Sequence, residues 1–101
     1  MNTFALWLET LALMSAPADL PPPTVIMDAK NFYLDGEVHL RDDQCFATAA
    51  VHEFSHYVAI ATGRLDGIPN ELAKKRLEDI ARDVEQRATT WQPNCETRDN
   101  Q

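Results

Sequence analysis

The spacing of apolar and polar positions divides the chain into a helix, a group of short strands and two further helices. Phe4, Leu6, Trp7, Leu8, Leu11, Leu13 and Met14 recur at helical intervals, so residues 1–20 are expected to open with an amphipathic helix packed on the domain. The same run ends in Ser15-Ala16-Pro17-Ala18, a small-x-small pattern like a signal-peptidase site. No Lys or Arg precedes the run and Glu9 interrupts it, so the signal-like segment is the secondary reading. Pro21-Pro22-Pro23 cannot lie inside a helix and sets an extended lead-in.

Thr24-Val25-Ile26-Met27 then reads as a short buried strand. Phe32-Tyr33-Leu34 and Glu37-Val38-His39-Leu40 flank Asp35-Gly36, and Asp-Gly between β-prone runs predicts a hairpin because both turn positions need positive φ. Val38 and Leu40 share one face of the last strand, Glu37, His39 and Arg41 the other. Asp42 or Asp43 can cap the next helix, which is expected to run to about Thr62 and stop at Gly63. Asn70 is a good cap for a final helix to about Trp91, with an apolar stripe of Ala73, Leu77, Ile80, Ala81, Val84, Ala88 and Trp91. Pro93 closes it, leaving residues 92–101 as a tail. The expected fold is α+β: an N-terminal helix, a small antiparallel sheet of two or three strands, and two helices.

At 101 residues the chain is a single domain, and 45% hydrophobic residues give it the composition of a soluble globule. The formal net charge of −7 argues against nucleic acid or an anionic membrane surface as partner, since phosphate binding needs clustered Lys and Arg. Lys74, Lys75, Arg76, Arg82 and Arg87 are interleaved with acids and read as a solvated helix side. Cys45 and Cys95 are not spaced for a metal site, and a disulfide or two free thiols fit equally. The cytoplasm is the favoured compartment, with secretion open if residues 1–18 act as a signal.

The candidate chemistry lies in His52-Glu53-Phe54-Ser55-His56, a His-Glu-x-x-His run. Residues four apart on a helix lie one turn apart on one face, so both imidazoles can reach one ion. Zinc accepts neutral imidazole nitrogens and in catalytic sites keeps a position for water. Glu53 is set beside that water, where it can take a proton as the attack begins and pass it to the leaving amine. Chance matches to so short a pattern occur, but two of the three histidines in the chain form it. Phe46, Ala47, Ala50, Val51, Phe54, Val58 and Ala59 also bury most of the helix around it.

Taken together, these features resemble the minigluzincins, the smallest gluzincin-type zinc metallopeptidases of the zincin class. In that family an antiparallel edge strand leads into the His-Glu-x-x-His helix, and a following helix supplies a Glu as third ligand. The segment Arg76 to Val84 is also similar to the Glu-helix of the peptidase family that includes phage and mobile-element repressor-cleaving proteins. The resemblance spans about residues 24–91. It implies one zinc per chain and a peptide or protein substrate, laid along an edge strand around Glu37 to Arg41.

No His follows the motif, so the third ligand is expected to be an acid. Glu78 and Glu85 are seven apart and point the same way from the last helix. An antiparallel return of that helix brings Glu78 level with the His pair, so Glu78 is favoured and Glu85 is the alternative, or a partner for a ligand His. A second electrophile for the oxyanion has three candidates: His39, Tyr33 and Tyr57. Tyr57, adjacent to His56, is expected to point away from the metal. The functional expectation is a zinc-dependent peptidase with Glu53 as general base. The alternative is a catalytically silent or latent zinc-binding accessory module, for instance if the tail lies across the cleft.

Overall fold

In the computed structural model, which describes residues 3–95, helices α1 (Thr3–Leu13), α2 (Phe46–Ala61) and α3 (Asn70–Arg87) surround strands β1 (Thr24–Met27), β2 (Phe32–Leu34) and β3 (Glu37–Leu40). A 3-10 turn, Pro93–Cys95, follows α3. The fold is α+β. Leu6, Trp7, Leu11 and Met14 of the first segment are buried in the same core as Val38, Leu40, Val51, Phe54 and Val58. The Trp7 ring meets Phe54 edge-on at 5.5 Å, which docks α1 against the middle of α2. No described helix is long and apolar enough to cross a membrane.

The hairpin forms at Asp35 and Gly36, both with positive φ (48° and 82°), pairing Phe32 with His39 and Leu34 with Glu37. The sheet, however, is mixed rather than antiparallel. Its order is β1-β3-β2, and β1 runs parallel to β3 with Val25 opposite Val38. The turn between β1 and β2 wraps over the end of β3. Asp28 N donates to Leu40 O, and Arg41 N donates to the Asn31 side chain. β3 is thus paired on both sides, and among the described residues the sheet's outer edges belong to β1 and β2. The expectation that Glu37 to Arg41 form an edge for a substrate strand is corrected accordingly.

The helix ends also differ from their expected places. Asp43 does not cap α2; its carboxylate accepts from Cys45 N, and the helix starts at Phe46 without a side-chain cap. At the other end Gly63, with φ 75°, donates to Ile60 O while Arg64 N donates to Ala59 O. That paired return is the Schellman arrangement a glycine permits. Pro69, not Asn70, occupies the cap position of α3. The helix stops at Arg87, short of Trp91, because Ala88 turns extended and Thr89 N donates to the Glu9 carboxylate at 2.7 Å. Beyond it, Cys95 is disulfide-bonded to Cys45, with Cα atoms 5.3 Å apart. The bond ties the chain after α3 to the start of α2. The rest of the tail, residues 96–101, lies outside the described residues, as does its relation to the cleft.

A candidate metal centre between the two long helices

α2 presents His52 and His56 from adjacent turns toward α3, and α3 returns Glu78 to meet them. His52 Nε2 stands 3.2 Å from Glu78 Oε2, and His56 Nε2 stands 3.2 Å from Glu78 Oε1. The ligand atoms of this trio all lie within 4.8 Å of one another, and all three residues are buried. The group could hold a metal ion. A tetrahedron with bonds of about 2.0–2.1 Å has edges of roughly 3.3–3.4 Å, so the two 3.2 Å approaches suit ligands of one tetrahedral ion. Among the described residues Glu78 Oε2, though buried, accepts no hydrogen bond, and His56 Nδ1 is likewise buried without a hydrogen-bond partner. Two imidazoles and a carboxylate are an ordinary donor set for a divalent transition-metal ion, so the residues fit such an ion.

Glu85, seven residues on, sits behind His52 rather than beside the ion-sized space. Its Oε1 lies 2.6 Å from His52 Nδ1, and both side chains are fully buried. A carboxylate on Nδ1–H fixes the tautomer that turns the Nε2 lone pair inward. Burial alone would lower the pKa of His52, but the Glu78 and Glu85 carboxylates outweigh it and raise the value to about 9. Glu78 shows the complementary effect: burial pushes it up, and the two imidazoles pull it down to about 2. In the metal-free protein these groups are an imidazolium and a carboxylate that hold each other in the charged form.

Glu53 lies in the same interior. Its Oε1 is 3.9 Å from His56 Nε2, and both of its carboxyl oxygens are buried without a hydrogen-bond partner among the described residues. Burial raises its pKa to about 7, against the pull of His52.

Tyr33 and His39 are carried on opposite faces of the hairpin. Tyr33 pairs with Val38 and shares its inward face; its ring meets that of His56 edge-on at 6.5 Å, and its hydroxyl accepts from Gly36 N. His39 points the other way. It stacks on Phe32 at 4.1 Å, with Nδ1 2.9 Å from Asp28 and Nε2 3.2 Å from Glu37. The structure therefore brings Tyr33 to the cluster and leaves His39 with acids on the other face of the sheet. Tyr57 packs against Trp7 and Tyr33 and donates to Pro21 O, anchoring the proline lead-in.

No protein-family model, no curated protein and no solved structure matches this chain.

Proposed function

We propose that this chain is a zinc-dependent peptidase in which Glu53 is the general base. The observation that carries the reading is the pair of Glu53 oxygens, buried beside the His52–His56–Glu78 group without a hydrogen-bond partner. Burying a carboxyl group without a partner is costly, and a structural metal site has no use for one there. His52, His56 and Glu78 would hold the ion, which when bound supplies Lewis-acid polarisation of the scissile carbonyl and acidifies a water. Glu53 accepts a proton from the attacking water on a carboxyl oxygen. It then delivers that proton to the amine nitrogen as the C–N bond breaks, returning to its carboxylate form. In the metal-free protein burial raises the pKa of Glu53 to about 7. Glu85 keeps the His52 ring in register throughout. The free edge of β2, which carries Tyr33 toward His56, is the edge along which an extended peptide can pair. The Cys45–Cys95 bond supports an oxidising compartment over the cytoplasm, because reducing compartments do not preserve such bonds.

One observation favours the alternative of a silent or latent zinc module: the Glu53 side chain has no exposed surface. The two readings separate in one experiment. Zinc-loaded protein is incubated with a mixed peptide library, with and without chelator, beside the Glu53→Gln variant. A peptidase cleaves, stops on chelation, and loses on the order of 10²–10⁴ in rate in Glu53→Gln, which keeps its zinc. Zinc binding without cleavage by either protein points to the silent module, and equal cleavage by both removes Glu53 from the mechanism.

A further inference from the structure

The hairpin fixes which main-chain groups of β2 face the outer edge of the sheet. A two-residue loop closes on a hydrogen-bonded pair, here Leu34 with Glu37. Such pairs alternate along an antiparallel ladder, so Tyr33 and Val38 form a pair that exchanges no main-chain hydrogen bond. The far side of β3 agrees. Leu40 O accepts from Asp28 N at 2.8 Å, so Leu40, and Val38 two residues before it, turn their main-chain groups toward β1. Tyr33 N–H and C=O consequently point away from β3, out of the edge.

Side chains alternate across the same strand. Tyr33 faces inward, its ring 6.5 Å from that of His56. Phe32 and Leu34 take the opposite face, Phe32 half-buried against the His39 ring and Leu34 56% exposed. Natural sheets usually blunt their edges with Lys, Pro or a bulge. β1, the other edge, is led in directly by Pro21-Pro22-Pro23, whereas Phe32-Tyr33-Leu34 carries neither proline nor charge. An apolar edge without such protection, next to the candidate metal centre, is suited to an added strand of like character.

Building on the peptidase reading, we infer that β2 binds extended peptides antiparallel through the Tyr33 main chain and selects those with apolar residues flanking the one held there. In that ladder one peptide residue donates its N–H to Tyr33 O and accepts from Tyr33 N. Its side chain shares the inward face of Tyr33. The preceding residue falls opposite Leu34 and the following one opposite Phe32, both on the outer face.

The test is binding by the full-length Glu53→Gln chain with zinc supplied, measured by fluorescence anisotropy. The labelled, amidated peptides are identical except for a central Leu-Ala-Leu, Leu-Ala-Ser, Ser-Ala-Leu or Ser-Ala-Ser. Two apolar cross-strand pairs together are worth about fivefold in affinity, and one about twofold. Leu-Ala-Leu should therefore bind about fivefold tighter than Ser-Ala-Ser, with the other two between. Leu34→Ser, a change at an exposed position, should erase the advantage of Leu-Ala-Ser and leave that of Ser-Ala-Leu. Methylating the central Ala nitrogen of Leu-Ala-Leu removes the donor to Tyr33 O and should cost about fivefold. Methylating the following nitrogen, which faces solvent, should not. Equal affinities, no binding of any peptide, the reverse response to Leu34→Ser, or indifference to central methylation overturns the inference. The parent reading fails separately: the preference holds, yet the wild-type protein with zinc cleaves none of the peptides.

Discussion

Glu85 Oε1 lies 2.6 Å from Nδ1 of His52, while Nε2 of the same ring faces Glu78 at 3.2 Å. One imidazole is thus held between two acids of the same helix, one directed at the ion position and one behind the ring. The consequences of losing them differ. Removing a partner behind a ligand His typically weakens metal binding by roughly 10–100-fold. Glu85→Ala should fall in that range, whereas Glu78→Ala removes a direct ligand and should weaken zinc binding further. Competitive titration against a chromophoric chelator gives the order; a larger loss in Glu85→Ala would make Glu85 the ligand.

The His pair is expected to be indispensable. His52→Ala combined with His56→Ala leaves a single carboxylate, and elemental analysis after dialysis should find no zinc where the proposed site of the parent protein holds one per chain. Circular dichroism checks that the helices persist. Zinc retained at one per chain in a folded double variant would place the site elsewhere.

The parts of this arrangement that were legible in advance depend on short-range spacing. A helix puts His52 and His56 on one face whatever else the chain does, and only a tight turn suits Asp35-Gly36. Glu78 required one further step, the return of α3 against α2. Contacts between distant segments were not legible. The parallel pairing of β1 with β3 depends on a crossing held by Asp28 to Leu40 and by Asn31 to Arg41. The early end of α3 follows from the hydrogen bond of Thr89 to Glu9, 80 residues away. Nothing in the alternation of Glu37 to Leu40 distinguishes a central strand from an edge one, because one face is buried in both cases. The outward direction of His39 could be read from that alternation, and its acidic partners could not.

The Cys45–Cys95 bond closes a separation of 50 residues that contains both long helices and every proposed ligand. Cross-linking a loop of that length typically stabilises a domain by about 2–4 kcal/mol through the unfolded chain. Reduction, or Cys45→Ser with Cys95→Ser, should therefore lower Tm by on the order of 10 °C in a protein of this size. Zinc should recover part of the loss, because an ion held by both α2 and α3 acts as a second tie between them. Differential scanning fluorimetry of oxidised and reduced protein, with and without zinc, measures both effects; a Tm indifferent to reduction would mean that the bond constrains nothing the fold does not already hold.

The charges of the metal-free centre set a pH dependence that zinc changes by displacing a proton. His52 is raised from 6.5 to about 9, so its contribution to stability is fully present below pH 6.5 and is lost as pH rises through 9. Glu53 is raised from 4.5 to about 7, so ionising it costs more in the folded protein than in the unfolded chain. That term also lowers stability as pH climbs from 4.5 through 7. Glu78 acts oppositely: lowered from 4.5 to about 2, it contributes above 4.5 and is lost as pH falls toward 2. Chelated protein should therefore be most stable near pH 4.5 and weaken steadily toward pH 9. Zinc competes with the His52 proton, so its affinity should keep climbing up to about pH 9. Histidine ligands of ordinary pKa would level off near about pH 7.5. The gap in Tm between zinc-loaded and chelated protein should accordingly widen between pH 6 and 9, with about one proton released per zinc at pH 8, measured by calorimetry in buffers of different ionisation enthalpy. A gap that closes with rising pH, or an affinity flat above pH 7.5, would show that zinc does not displace a proton held by His52 between Glu78 and Glu85.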